Sequence, residues 1–388
     1  MSDKKTILFV TPYNPYLKRT GAHQRTHHLF EALKLYGNVD TLFFNLYDQD
    51  IPLKDKNVFV YNIQVMNTIL SKLKSCFQFH TPNIIIPKNQ ECCKIYNQII
   101  GKKHYDLIIF RYLTTAVMCG IKNFTDIVID IDDIPWHNYY RMSQNPIYPW
   151  IKRIYFKLKY KGIKNQSLQI MSSCKLYYTA NPEDCLTNNA YYLPNIPTIF
   201  ETETYTPIPN KNILFVGFMA FPPNYQGVNH FIQNIWPNII KKYPDASFYI
   251  AGKGTPEYLK IAWKKYLNVH VLGYVEDLKT LYEKCFIVVS PIYSGAGTNI
   301  KVLEALAMKK VCIISQFAFK GFNKNFIHKK DILIAQSDNE FIQLLEGVLH
   351  QPTSYVSIAM QGYQSIIKNY TTKNIQALIK NTLFTAKI

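Results

Sequence analysis

Residues 290–310 read SPIYSGAGTNIKVLEALAMKK. The β-branched run at 286–290 has the composition of a buried strand, and it stops at a proline. A loop with Gly295 and Gly297 follows. From about Thr298 the apolar residues Ile300, Leu303, Leu306 and Ala307 recur at helical spacing. Strand, glycine loop and helix make one βα unit, and the same succession recurs in both directions along the chain. In the second half it predicts strands at 213–216, 247–250, 269–272, 286–290, 311–314 and 332–335, with helices at 226–242, 256–266, 277–284 and 298–308. Three more helical segments run from Asn339 onward. In the first half it predicts strands at 7–10, 39–44, 107–110, 127–131 and 176–178, with helices at 23–36, 89–103 and 150–172. Residues 45–88 give no assignment. The reading is an α/β protein with two doubly wound parallel sheets.

The 388 residues suit two domains at about 150 residues each. A composition 48% hydrophobic, 18% charged and 14% aromatic excludes a disordered array. The stretch 193–212, LPNIPTIFETETYTPIPNKN, carries four prolines and no helical period, which marks the boundary. The expected division is a first domain at 1–195, a linker at 196–212, a second domain at 213–365, and a helix in 366–388 packing back on the first. Open α/β sheets bind ligands at the carboxyl ends of their strands, so the active site is expected in a cleft shared by the two domains.

Lys and Arg number 44 against 26 Asp and Glu, a net charge of +18. Residues 206–388 hold 20 lysines and 10 acids, leaving 24 basic and 16 acidic residues for 1–205. The excess is spread over both halves, which excludes a nucleic-acid arm. It fits anionic small molecules or an anionic membrane surface, and equally a plain lysine bias. All five arginines lie within the first 153 residues, so an anion bound by the second half must be held by lysines and backbone N–H groups. Eight cysteines, including the neighbours Cys92 and Cys93, show no zinc-type spacing. Reduced thiols and no metal are expected. The amino terminus has neither signal-peptide nor spanning character, and no run approaches 18 apolar residues, so the expected location is the cytoplasm.

The loop at 295–298 admits two readings. Glycines let backbone approach an oxyanion, and a helix amino terminus offers free N–H groups, so the loop is a candidate phosphate cradle. It is also what an ordinary strand-to-helix turn looks like. Lys301 and Glu304 favour the first reading: three residues apart on the opening turns, they set an ammonium for phosphates beside a carboxylate for ribose hydroxyls. Lys253, in the loop Gly252-Lys253-Gly254 after another strand, is the second candidate countercharge.

At this point the chain resembles a known family. NILFVGFMAFPPNYQGVNHFIQNIWPNI, FYIAGKGTP, VHVLGYVEDLKTLYEKCFIVVSPI and SGAGTNIKVLEALAMKK, in that order, resemble the donor-binding domain of retaining glycosyltransferases of family 4, which have the GT-B fold. The first half resembles the same family through ILFVTPYNPYLKRTGAHQRTHHLFEALKLYG, DLIIFRY and IVIDIDDIPW. The resemblance implies transfer of a sugar from a nucleotide-sugar donor to a glycan or lipid-linked acceptor, with retention of configuration, no cofactor and no required metal. It implies Glu304 on the donor ribose, and Gly295, Gly297, Thr298 and the adjoining Asn299 facing the donor sugar and diphosphate. Tyr274 and Val275 match the backbone beside the base, Gly21 and Ala22 the amino-terminal loop over the diphosphate, and Gly217 the end of the first strand of the donor domain. Two positions depart. Ala296 stands where many members carry a glutamate, and GFMAFPPNYQG lacks the family's frequent Arg and Lys. Lys301 is the expected substitute, with a catalytic share in stabilising the leaving diphosphate.

In the first half, Asp132, Asp133 and His137 follow the strand at 127–131, where a family carboxylate or histidine approaches the reacting sugar. Asp133 reads equally as a helix cap. Arg25 and Arg111 are candidates for the acceptor side, or for structural ion pairs. Residues 149–170 place Ile151, Ile154, Tyr155 and Leu158 on one face among six basic residues, a helix for an anionic membrane or for domain packing. Alternative functions are a degenerate GT-B protein that binds nucleotides or a partner without turnover, and a sugar-nucleotide epimerase. A dehydrogenase is disfavoured because no G-x-G-x-x-G follows a first strand.

Overall fold

The computed structural model describes residues 4–46, 57–63, 85–146, 148–295, 298–322 and 325–385. Ala296 and Gly297, both expected in the donor loop, lie outside them. The chain divides into two compact units, one of Met1–Pro194 with Ile375–Ile388, the other of Asn195–Asn374.

The first unit holds β1 (Lys5–Thr11), β2 (Gly37–Asn45), β3 (Val58–Asn62), β4 (Leu107–Arg111), β5 (Ile127–Asp132), β6 (Leu176–Thr179) and β7 (Ala190–Tyr192). They form one sheet in the order β3-β2-β1-β4-β5-β6-β7, parallel throughout. The central strands are buried on both faces and read as continuous apolar runs, which is why the sequence disclosed them. β3 and β7, absent from the sequence reading, are partly buried edge strands of five and three residues. The helices Leu113–Met118 and Trp136–Gln144 are likewise too short for their period to register.

The second unit holds β8 (Asn212–Val216), β9 (Ser247–Ala251), β10 (Val269–Gly273), β11 (Ile287–Ser290), β12 (Val311–Ser315) and β13 (Leu333–Ala335), in the parallel order β10-β9-β8-β11-β12-β13. Each sheet reverses its winding once, between β1 and β4 and between β8 and β11. Crevices at the carboxyl ends of such pairs are where doubly wound sheets bind ligands. The helix predicted at 226–242 runs over Pro222–His230, a wider π turn at Phe231–Ile235, and Trp236–Lys242. The π turn abuts Pro237, which has no N–H to donate to the preceding turn.

The stretch read as a linker is packed rather than free. Glu201 N–H donates to Ala307 O at 3.0 Å, and the buried Lys309 ammonium donates to the carbonyls of Thr202, Glu203 and Tyr205 at 2.8, 2.8 and 2.7 Å. Among the described residues no helix is long and apolar enough to cross a membrane, and no group of three His, Cys, Asp or Glu is placed to hold a metal ion.

Candidate active site

In the second unit the crevice between β8 and β11 is built from two βα turns. After β8 the chain passes Gly217 and enters the helix Pro222–His230. After β11 it passes Gly295 and enters the helix Ile300–Ala307. Lys301 stands on the first turn of the latter helix and reaches across to the former, donating to Asn224 Oδ1 at 2.6 Å. Asn224 is oriented by its own donation to Phe218 O at 2.8 Å. The Lys301 ammonium lies 4.6 Å from the centre of the Phe215 ring, and burial pushes its pKa down to about 7 against the pull of Glu304. Glu304, one turn further along, is buried with it. Burial thus outweighs the attraction of Glu304 and disfavours the charged form.

The turns near this lysine pack closely, and two glycines permit the approach. Gly252 adopts φ +146°, and a Cβ there would stand 1.7 Å from Gly217 O. Gly295 adopts φ +115°, and a Cβ there would press on Pro223 at 3.1 Å. Lys253 is exposed between Gly252 and Gly254, its carbonyl accepting from Met219 N–H at 2.9 Å. Tyr274 is 70% exposed beyond the end of β10, with Val275 half-buried beside it. Thr298 and Asn299 are half-buried before the helix, and Asn299 Nδ2 donates to Ala318 O at 3.2 Å. The structure thus gathers Gly217, Lys253, Gly295, Thr298, Asn299, Lys301 and Glu304 at the carboxyl end of one sheet. Sequence reasoning missed Asn224, because nothing in PPNYQG reveals that its amide bridges two helices.

In the first unit, Arg25 and Arg111 are corrected. Arg25 donates to Asp130 through Nε, at 3.1 and 3.0 Å to the two carboxylate oxygens, and through one terminal nitrogen at 2.6 Å. Its other terminal nitrogen reaches Leu193 O at 2.7 Å. Arg111 lies 3.1 Å from Asp130 and donates to Asp132 at 2.7 Å. The side chains of Arg25, Arg111 and Asp130 are 3%, 0% and 0% exposed. Both guanidinium groups are engaged in an internal two-Arg, two-Asp cluster rather than presented to an acceptor. Asp130 escaped the sequence reading because one of its arginine partners lies 105 residues away and the other on a neighbouring strand. Tyr112 and Asp132, at the ends of β4 and β5, hold φ values of 69° and 65°. Left-handed backbone at a non-glycine residue is strained and is held by the structure around it.

Asp133 makes no helix cap: the helix Trp136–Gln144 starts at Pro135 without a side-chain cap. Its Oδ1 is buried without a hydrogen-bond partner, and burial beside Asp132 and Asp184 raises its pKa to about 8. His137 is half-exposed, its Nδ1 4.0 Å from Asp184 Oδ1, and burial lowers its pKa. Asp184, raised to about 6, and Arg141, with one buried unpartnered nitrogen, complete a titratable cluster beyond β5 and β6. Gly21 and Ala22 are half-buried on the first turn of the helix Gly21–Tyr36, whose cap is Thr20.

Residues 210–351 match the family described as Glycosyl transferases group 1. The matched stretch begins just before β8 and lies within the second unit. That match spans β8 to β13 and every donor-side residue named in the second unit. The chain is 27% identical over 248 residues to an uncharacterized 44.6 kDa protein in the cps region of Klebsiella pneumoniae. The aligned part is 61% of this chain and 63% of that protein, less than two thirds of its length. The sucrose-phosphate synthase of Thermosynechococcus elongatus superposes with a TM-score of 0.68 at 14% identity, over 97% of this chain and 98% of that one. HepE of Anabaena, solved in complex with UDP and glucose, gives 0.65 at 13% identity over 98% and 100%. The two parallel-sheet units are those of the GT-B fold that these structures have.

Proposed function

We propose that the protein is a retaining glycosyltransferase, moving a sugar from a nucleotide-sugar donor to a glycan or lipid-linked acceptor in surface polysaccharide synthesis. The observation that carries the reading is Lys301, a buried cation near neutrality, tied to Asn224 across the turning point of the sheet with Glu304 one turn away. The group 1 match supports the reaction class, the UDP and glucose in HepE the donor class, and the cps-region relative the setting.

In the proposed reaction the bond between the sugar's anomeric carbon and the diphosphate oxygen breaks while the acceptor oxygen bonds to that carbon on the same face. The acceptor proton passes to the departing diphosphate. Lys301 and the N–H groups opening the helix Ile300–Ala307 stabilise the charge that grows there. Glu304 accepts from the ribose hydroxyls, and Asp133 and His137 are assigned to the first unit's share in the reaction. No metal is required, and the protein works in the cytoplasm.

The test is thermal unfolding against UDP, GDP, ADP, CMP and their sugar conjugates, without metal and then with Mg²⁺. A nucleotide at about 100 times its dissociation constant stabilises by about 2.7 kcal/mol. One base giving a metal-independent shift that Glu304→Ala abolishes is the expected result; no shift with any nucleotide overturns the reading. NMR of the donor incubated without acceptor separates transfer, which leaves the donor's stereochemistry intact, from epimerisation.

A further inference from the structure

The helix Trp150–Ser173 changes character along its length. Its later turns bury Gly162, Ile163, Ser167, Ile170 and Met171 in the first unit. Its first turns leave Trp150 69%, Ile151 63% and Ile154 50% exposed. Trp150, Ile154, Lys157 and Lys161 are three or four residues apart and share one face, and both lysines are exposed. The helix carries six basic residues, Lys152, Arg153, Lys157, Lys159, Lys161 and Lys164, and no acid. Three of the six are engaged within the fold: Arg153 donates to Ser143 O at 3.1 Å, Lys159 lies over the Tyr139 ring at 4.6 Å, and Lys164 donates to Tyr160 Oη at 3.5 Å. Lys157 and Lys161 extend the apolar end along the outer face.

Three large apolar side chains followed by cations and no anion are an expensive surface to leave in water, and they restrict what can cover it. A second copy would bring the same six cations and a net charge of +18 to the contact. An anionic lipid interface complements both parts. Tryptophan settles at headgroup depth, isoleucine enters the acyl boundary, and lysines meet lipid phosphates. We propose that this end of the helix seats the protein on an anionic lipid surface, with Trp150, Ile151 and Ile154 inserted and Lys157 and Lys161 against the phosphates. The seat is separate from the donor-binding residues and stands or falls without them.

The test is co-sedimentation of the full chain with vesicles of phosphatidylcholine containing phosphatidylglycerol, and with phosphatidylcholine alone, at low and high salt. Binding is expected to the anionic vesicles only and to weaken with salt. It should fall about tenfold or more in the Ile151→Glu, Ile154→Glu double variant, and similarly in Lys157→Glu, Lys161→Glu. All four positions are at the surface, so the unfolding temperature of each variant stays near that of the parent; Trp150→Ala gives the same readout without adding charge. Absence of binding at low salt, binding that none of the variants weakens, or a self-association that they disperse would each overturn the proposal.

Discussion

Lys301 is deprived of water by Phe215 and the helix it stands on, and a bound diphosphate would return the negative charge it lacks. With its pKa near 7 in the free protein and higher in the complex, binding takes up a proton above pH 7. Affinity for a nucleotide sugar, whose diphosphate does not titrate near neutrality, is therefore expected to be flat below about pH 7 and to fall above it. Lys301→Met should flatten that profile and weaken binding of the nucleotide diphosphate more than of the nucleoside; isothermal titration from pH 6 to 9 checks both. Glu304→Gln keeps the shape and loses the charge, and at about 1.5–3 kcal/mol for a hydrogen bond to a charged group it should cost tenfold or more in affinity. Asp133 gives a second pH signature. Its folded pKa, about 8, lies above the ordinary carboxylate value, so the native state keeps a proton that the unfolded chain has released. Stability then falls as pH climbs from about 4 to about 8. Asp184, raised to about 6, adds the same sign at the lower end, while Lys301 and Lys310, lowered to about 7 and about 8, add the opposite sign above pH 7, so in the window between pH 6.5 and 8.5 the share of Asp133 is the difference between the parent and a variant that lacks its carboxyl. Unfolding temperatures of Asp133→Asn should fall less across that window than those of the parent.

At the level of the element, the turn that carries Lys301 depends on close backbone approach. Gly227 lets the helix Pro222–His230 lie against the loop after β11, where a Cβ would stand 2.0 Å from Pro291 O. Gly227→Ala forces the two βα turns apart and should cost about 1–3 kcal/mol, together with nucleotide affinity, since Asn224 rides on the same helix. Lys309→Ala removes the three donations to residues 202–205 and should destabilise by about 3 kcal/mol without touching nucleotide affinity. Denaturant unfolding with and without nucleotide distinguishes the two. These elements were unequally legible in the sequence. Central strands such as β1 and β11 announce themselves because burial on both faces demands unbroken apolar runs, whereas edge strands such as β7 carry too little buried surface to leave a pattern. Lys301 and Glu304 were readable because they neighbour each other on one helix. The bridge from Lys301 to Asn224, 77 residues away, and the pairing of Arg25 with Asp130 are set by tertiary packing, and no local spacing encodes them.

At the scale of the whole molecule, the first unit is discontinuous in sequence. Tyr36 donates to Gln376 O at 3.3 Å and its ring lies 5.1 Å from that of Phe384, while Tyr178 shares a hydrogen bond with Thr382. Removal of residues 375–388 should therefore loosen β1 and β6 and leave β8 to β12 as they were. Hydrogen exchange is expected to accelerate in residues 5–11 and 176–179 and to stay unchanged in residues 212–216 and 287–290; acceleration in the second unit instead would contradict the division.

The same discontinuity bears on how the protein comes into being. A ribosome reading this message releases the strands of the first sheet early, but the segment that completes their packing emerges only after the entire second unit has been made. The earliest part of the chain is thus the last to be finished. During translation its tyrosine-bearing flank at Tyr36 and Tyr178 waits uncovered while the second unit can already close around its own core.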